Sequence, residues 1–575
     1  LYGYLCRVNY EQEMSTHPMF YPKKTLLLST LAVSSFPVVA NTIPNAGQLL
    51  QQQSWQQYQP QAEVNIEGPQ QMQIMPADSQ QQIQIKQVVI QGNQSIATED
   101  LHALVKDVEG QVLTLSDLQQ LTKKLTDYHQ QQGYSYNRAY LPVQSLADGV
   151  VKIQILEARY DRIQFNNQTR TANHLIEGIL APLQSGDIID SATLQQQLKL
   201  LSRLNGIKIR NVISAGRYPG TSDLTIHIQP EKTLNGYVGL DNYGNEYTHE
   251  LRLNAGVAAN NLLGLGDRLS FDGMTSGNLN FARLGYEATV NAAGTRLGAS
   301  YSDLDYELGK EYKALDAVGN AQQASIWLSQ PVLLNNQSEV VLGVQYDFKR
   351  LEDDIEVAGL YRDRDIHVGR IRLDASQTDN FAGGGLTQFG VAADFGHVEF
   401  KNAATEKDDL ATANTQGNFV VASFNVSRLQ NLVDSDTQLY AALQAQFSPD
   451  NLDSAQQFSV GGSANVAGYE NSVLSGSTGY YLLAELRQSL YASSNNQVIG
   501  KVYIDTGEVK RQAHKWKGLT GDNQERINSA GLGLNWTNSS QWGAALTVGF
   551  PIGSKPKSLE QPNDVESWFT ITKHF

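Results

Sequence analysis

From residue 234 to the C-terminus the chain alternates apolar and polar positions with a period of two, the signature of strands with two unlike faces. In LNGYVGLDNYG, Leu234, Gly236, Val238 and Leu240 share one face, and Asn235, Tyr237 and Asp241 share the other. In VVLGVQYDFKR, Leu342, Val344, Tyr346 and Phe348 oppose Gly343, Gln345 and Asp347. The same alternation returns in GLTQFGVAADFGHVEF, QLYAALQAQF and SAGLGLNWTN, with Gly, Asn, Asp and Ser turns between. The polar face carries Asp347, Asp394, Glu485, Arg487 and Asp505. Between the sheets of a soluble sandwich or in a solenoid, such charges would be buried at high cost. In a barrel lumen they are solvated, and the apolar face meets lipid. At about 20 residues per strand and loop, residues 232–575 hold about 16 antiparallel strands, an even number as a bacterial membrane barrel requires.

Upstream, between residues 85 and 231, the period changes to that of helices alternating with short strands, and one unit is written twice at a spacing of about 73 residues. The first copy, 85–158, predicts a strand over Ile85–Gly92, a short helix capped by Thr98, and a longer helix over Ser116–Gln132. That helix sets Leu118, Leu121, Leu125 and Tyr128 on one face and ends at Gly133. Strands over Tyr136–Leu141 and Gly149–Leu156 close the unit. The second copy, 159–231, repeats the order: strand Tyr160–Phe165, helices Thr171–Leu180 and Ser191–Leu204, strands Ile207–Ala215 and Asp223–Gln229. Each is a small α+β module with helices over one face of a sheet. Asp161, Asp187, Asp190 and His174 read as caps and solvated loop residues.

The first 84 residues are not fold-forming in the same sense. YPKKTLLLSTLAVSSFPVVA, residues 21–40, has a positive start at Lys23 and Lys24, an apolar run from Thr25 to Phe36, and small residues at Val38-Val39-Ala40, the parts of a secretory signal. Residues 1–40 are therefore set apart as signal and upstream sequence, with Met14 or Met19 as candidate starts. Next, Asn45 can cap a helix over Ala46–Tyr58 that Pro60 stops, with Leu49, Leu50 and Trp55 as its few apolar positions. Residues 61–84, rich in Gln and carrying Pro69 and Pro76, read as a flexible linker.

Charge and chemistry narrow the function. A net charge of −15 argues against a sequence-independent nucleic-acid binder. The only cysteine is Cys6, so neither a disulfide framework nor a thiolate metal site is available to the body of the chain. Ten histidines are scattered without ligand spacing, and no GxSxG, Walker A or nucleophile–base pair is apparent. These absences predict no cofactor, no metal and no enzymatic activity. No apolar run is long enough for a transmembrane helix, a test that β-strands escape.

One stretch breaks the strand rhythm. GGSANVAGYENSVLSGSTGY, Gly461–Tyr480, lies between strands predicted at Thr437–Ser448 and Tyr480–Leu490. It carries five glycines and one bulky residue, Tyr469, before its terminal tyrosine. It is too long for a hairpin turn, and loops of this length in a β-rich segment are usually functional.

Taken together, these features resemble a family. The doubled β-α-α-β-β unit resembles tandem POTRA domains, and WFTITKHF, with Phe569, Ile571 and Phe575 on one face, resembles the terminal strand signal of outer-membrane barrels. Together with the polar helix at 41–60, the linker, and the markers GGSANVAGY, LSGSTGYYLLAEL, VYIDTGEV and DNYGN, the chain is similar to two-partner secretion transporters of the outer membrane. That resemblance implies a monomeric barrel with a plug helix (Leu49, Leu50, Trp55) in its lumen and POTRA domains in the periplasm. It also implies assembly into lipid by the barrel assembly machinery, and a secreted partner with an N-terminal secretion domain: an adhesin, a haemolysin or a contact-dependent inhibition toxin. The alternative within the superfamily is an assembly factor for other barrels. The resemblance further implies that the loop folds inward, its tetrad falling on Val466, Ala467, Gly468 and Tyr469. A family arginine at Ala467 would face Asp505, in the lumen strand motif of Asp505 and Gly507. With alanine there, that ion pair cannot form, and Ala467→Arg is expected to restore it. Ser477 likewise replaces a family aspartate.

Overall fold

A computed structural model describes residues 44–53, 66–67, 82–433, 436–559 and 563–575. The segment read as a secretory signal, Trp55 and most of the stretch read as a linker lie outside these residues.

The alternating half closes into a barrel of 16 strands, all neighbours antiparallel. It runs from Leu234–Asp241 to Glu566–His574, and these two strands pair with each other from Tyr237↔His574 to Asp241↔Thr570 to complete the ring. Alternation decides the faces as expected. Val344, Ile371, Val502, Ile504, Leu532 and Leu546 are exposed on the outside, as are Phe569, Ile571 and Phe575 near the C-terminus. Phe575 follows the last strand and exchanges backbone hydrogen bonds with Gly236 of the first (3.0 and 3.1 Å).

On the inner face the expectation needs correction. Asp347, Asp394, Glu485 and Asp505 are buried rather than solvated. Arg370 grips Asp394 through two bonds of 2.6 Å, Arg487 donates to Glu485 at 2.6 Å, and Gln345 donates to Asp347 at 2.8 Å. Arg370 reaches Asp394 across neighbouring strands, whereas Arg487 and Gln345 stand two residues along the same strand from the carboxylates they meet. A buried charge without such a partner would cost several kcal/mol, on the order of 3–5.

Both repeat units form. In the first, Val150–Leu156 lies between Gln87–Gln91, which it pairs in parallel, and Arg138–Tyr140, which it pairs antiparallel. Helices Thr98–Ala103 and Leu115–Gln131 supply Leu101, Leu118 and Leu125 to a core with Val88, Ile90, Val151, Ile153 and Ile155. Thr98 is the first helical residue and not the cap; Ala97 holds that position, and the Thr98 hydroxyl accepts from Asn93. The longer helix starts one residue earlier than predicted, because Thr114 and Asp117 form a reciprocal capping box.

The second unit has strands Arg159–Asn167, Ile207–Ala215 and Thr221–Pro230 and helices Asn173–Leu180 and Ser191–Ser202. Asp190 caps the latter helix, as expected of that residue. Asp161 is not a solvated loop residue: it is buried on a strand, and Arg217 bonds it at 2.7 and 3.0 Å. Hydrogen bonds from the Arg217 side chain and backbone bring its carboxyl down to about 2. Because this pKa is depressed, the contribution is complete above the ordinary carboxylate value of about 3.9 and is lost as pH falls through about 2. Hydrogen exchange of this unit in the full chain should therefore be pH-insensitive above pH 4, once corrected for intrinsic rates, and Asp161→Asn should remove any loss of protection near pH 2.

Two pieces of the linker pair as strands instead of remaining irregular. Ile66–Glu67 adds in parallel to Ile207–Ala215, and Gln82–Gln84 pairs with Val112–Thr114. Each is only two or three residues long, too short for a periodicity to be read in the sequence, and each uses a free strand edge.

The second unit is fastened to one rim of the barrel. Ala172 N–H donates to Gly264 O (2.9 Å), Asn261 Nδ2 donates to Thr171 Oγ1 (2.8 Å), Arg203 pairs with Glu339, and Leu334 enters the unit's own apolar core. This rim is thereby marked as the side of the small domains.

Candidate functional site

Among the described residues, two pieces of the chain occupy the lumen, and both begin as sequence that cannot be a wall strand. The first is the helix Ala46–Gln52, capped by Asn45, whose side chain accepts from Gln48 N–H. A solvated lumen would leave this mostly polar helix in water. Instead Ala46, Leu49 and Leu50 are buried in a cluster with Leu304, Tyr306, Ala321, Leu351, Ile366, Val368 and Leu452. The correction has a plain cause: the inner wall is apolar at this level, so a helix with only two leucines in its first turns still finds a matching surface. Asp353, which meets the helix, lies on the strand that leaves the small-domain rim beside Glu339. The two are separated by roughly 45 Å of strand path at ~3.3 Å per residue. The helix N-terminus therefore sits toward the rim opposite the small domains.

The second piece is the stretch from Gly461 to Tyr480. Its stem is a small hairpin, Phe458–Val460 paired with Leu474–Gly476. Its tip presses on the inner wall with Val466, Ala467 and Tyr469 buried. Ala467 N–H donates to Asp505 Oδ2 (3.2 Å), and Gly468 N–H donates to Ser529 Oγ (3.1 Å). Ser529 in turn donates its hydroxyl proton to Asp505. Trp568 Nε1 donates to Ala467 O (2.8 Å), and Asn471 Nδ2 donates to Tyr243 O (2.8 Å). The structure thus brings Val466, Ala467, Gly468 and Tyr469 against Asp505, and Gly507 lies under Val460 and Val466. Asp505 is satisfied by a backbone N–H and a serine hydroxyl, where the family resemblance implied an arginine. Around Ala467 the space is taken by Tyr503, Trp568, Tyr243 and Leu483. An arginine at 467 must displace an aromatic ring before it can reach Asp505. Ser477 is wholly buried and accepts from Leu452 N–H (3.1 Å), so it anchors the loop stem without a charge.

Helix and loop also touch: Gln52 Nε2 donates to Ser472 Oγ (3.2 Å). The sequence reading missed Ser529, Trp568 and Asn471. Alternation in SAGLGLNW and WFTITKHF places Ser529 and Trp568 on the inward face, but which loop atom each would meet depends on the fold. Among the described residues there is no group of three or more His, Cys, Asp or Glu side chains arranged to hold a metal.

A closed barrel, small α+β domains fastened to one rim, and a helix and an inward loop filling the lumen define an outer-membrane transporter of the POTRA-bearing class. A profile of the haemolysin secretion/activation proteins ShlB/FhaC/HecB matches residues 220–536, and one of the ShlB-type POTRA domain matches 83–158. The chain belongs to this family of two-partner secretion transporters, with the barrel in the outer membrane and the POTRA domains in the periplasm. Among relatives, it is 25% identical to a heme/hemopexin transporter protein HuxB of Haemophilus influenzae, over 96% of this chain and 99% of that protein. It is 27% identical to an outer membrane transporter CdiB of Escherichia coli, over 71% of this chain and 69% of that protein. Among solved structures, CdiB from Escherichia coli superposes with a TM-score of 0.67 at 21% identity, covering 88% of this chain and 92% of the other, which bears on the fold alone.

Proposed function

We propose that the chain exports one large secreted protein, an adhesin, a haemolysin or a contact-dependent inhibition toxin, through the barrel as an unfolded polypeptide. The client's N-terminal secretion domain is held by the two POTRA domains, 85–158 and 159–231. The helix within 41–60 leaves the lumen to make room, and the client folds outside, which supplies direction without a nucleotide. Leu49, Leu50 and Trp55 serve the closed state. Val466, Ala467, Gly468 and Tyr469 seat the loop on Asp505 and Gly507. Phe569, Ile571 and Phe575 mark the last strand for the barrel assembly machinery. The protein works as a monomer, without cofactor and without catalysing a reaction. The observation that carries this reading is the lumen itself: among the described residues two segments of the same chain occupy it, and one of them, the helix, is held to the wall by side-chain packing and hydrogen bonds rather than as part of the sheet.

Deleting residues 41–58 is expected to raise conductance in planar bilayers, and a closed deletion variant would sink the plug assignment. For the client, co-expression with a large secreted β-rich protein encoded beside this chain should release that protein to the medium only when the transporter is present.

A further inference from the structure

The helix N-terminus rests on charges that belong to neither the helix nor the tip of the loop. Asp353 accepts from Ala46 N–H (2.7 Å) and from the Tyr306 hydroxyl (2.6 Å). Arg364, on the neighbouring strand, donates Nη1 to the other Asp353 oxygen (2.7 Å), and its Nε lies 2.6 Å from Asp453 Oδ2. The side chains of Arg364 and Asp453 have 0% exposure, which is rare for either residue. Asp453 accepts from Ala455 N–H (2.9 Å) and so caps the turn Ser454–Gln456. The same turn reaches the helix: Ser454 Oγ donates to Asn45 Oδ1 (2.7 Å). Gly47 lies flat against Ala455, where a Cβ would stand 2.7 Å from the Ala455 nitrogen. The turn then runs directly into Phe458–Val460, the first strand of the loop stem.

We propose that Arg364 is a positioning residue that seats the plug helix and the loop stem together, so that releasing one frees the other. One guanidinium joins two carboxylates. Through Asp353 it orders the acceptor that receives the helix N-terminus, and through Asp453 it orders the turn that carries both the helix contact and the loop. A bidentate-capable planar cation suits this bridging position better than an ammonium. Without it, the wholly buried Asp453 and the partly buried Asp353 lose their shared cation, and burial strongly disfavours an uncompensated charge at Asp453. Water must enter to relieve it, and the helix is what covers the site. Arg362, 3.8 Å from Asp453, and Lys349, which donates to Ala455 O at 3.3 Å, hold the turn from the wall but do not reach the helix.

This inference rests on the helix being the plug, and the test separates the two. The full-length protein, with Cys6→Ser, is reconstituted in planar bilayers. Arg364→Met is expected to raise the fraction of time open at least tenfold. Arg428→Met, which breaks a half-exposed pair with Asp379, is expected to leave it unchanged. In the Arg364→Met background, an Asn45→Cys, Ser454→Cys pair should close the pore on oxidation and reopen it with reductant. A general weakening of the barrel would not give that reversal. If Arg364→Met does not assemble, Asp453→Asn tests the seat from the turn, with opening again expected. A closed Arg364→Met pore beside an open 41–58 deletion overturns the seat and spares the plug. Closure of both overturns the plug. Opening that oxidation does not reverse also overturns the seat.

Discussion

Gly468→Val is expected to abolish release of the client while leaving a folded, heat-modifiable barrel in the outer membrane. A Cβ at this position would meet Ser529 Cβ at 2.6 Å, Phe550 C at 3.0 Å and Pro551 N at 3.0 Å. Two of these three atoms are backbone of the barrel wall and cannot turn aside as a flexible side chain would. The loop must therefore lift, and lifting it breaks a linked set of bonds: Ala467 N–H to Asp505, Gly468 N–H to Ser529 and Trp568 Nε1 to Ala467 O. Each is worth about 0.5–1.5 kcal/mol, or more where the carboxylate accepts. Asp505 would then be left on the wall with Ser529 and no partner from the loop. Client in the medium, measured against barrel in the membrane, is the check. Wild-type release from Gly468→Val would mean that a seated loop is not needed for export.

Tyr469 sets the second large effect, and its two substitutions should part company. The side chain is 2% exposed and packs with Val460, Val466, Leu474, Tyr481, Val509 and Ile527. Tyr469→Ala is expected to cost about 3–5 kcal/mol of loop seating, the range for emptying a packed aromatic site. That shifts a seated-to-lifted ratio by roughly 150- to 4,000-fold. Among the described residues the Tyr469 hydroxyl has no hydrogen-bond partner. Tyr469→Phe should therefore keep export intact and leave the loop as firmly seated as before, or more so. Limited proteolysis of the loop in reconstituted protein reads both variants. A Tyr469→Phe loop cut as readily as Tyr469→Ala would assign the hydroxyl a role that packing does not.

Much of this architecture was legible before any coordinates, for reasons that differ by region. The wall was readable because lipid imposes one rule on every strand, so Leu342, Val344 and Tyr346 declare a face by themselves. The repeat units were readable because Leu118 and Leu125, or Leu194 and Leu198, recur at helical spacing. What sat inside the lumen was less so. Alternation shows that Asp394 points inward but not that Arg370 is its neighbour, since that pairing follows cross-strand register; Arg487, two residues from Glu485 on one strand, shares its face by alternation alone. The helix at 46–52 looked too polar for an apolar seat because the seat is assembled from Leu304, Ala321, Leu351 and Ile366 on four different strands. The Ile66–Glu67 pairing was invisible because its partner lies nearly 150 residues away, at Asn211 and Val212. Asp505 was found, yet its actual partners, Ser529 and the loop backbone, were not, because the arginine that would have announced the contact is an alanine here.

The residues that receive the loop tip also bear on how the protein is made. Asp505, Ser529, Pro551 and Trp568 come from the last four strands in order, and the Tyr243 carbonyl follows the first. The loop thus grips both banks of the junction where the sheet meets its own beginning, a junction of five paired strand positions extended by the Phe575–Gly236 pair. A nascent chain cannot seat the loop until Trp568 has been delivered, and once seated the loop straddles the last gap from within. Closing the cylinder and setting its inner clasp therefore become a single late event. A chain truncated before Glu566 should accumulate with its loop protease-sensitive, however complete the other strands are.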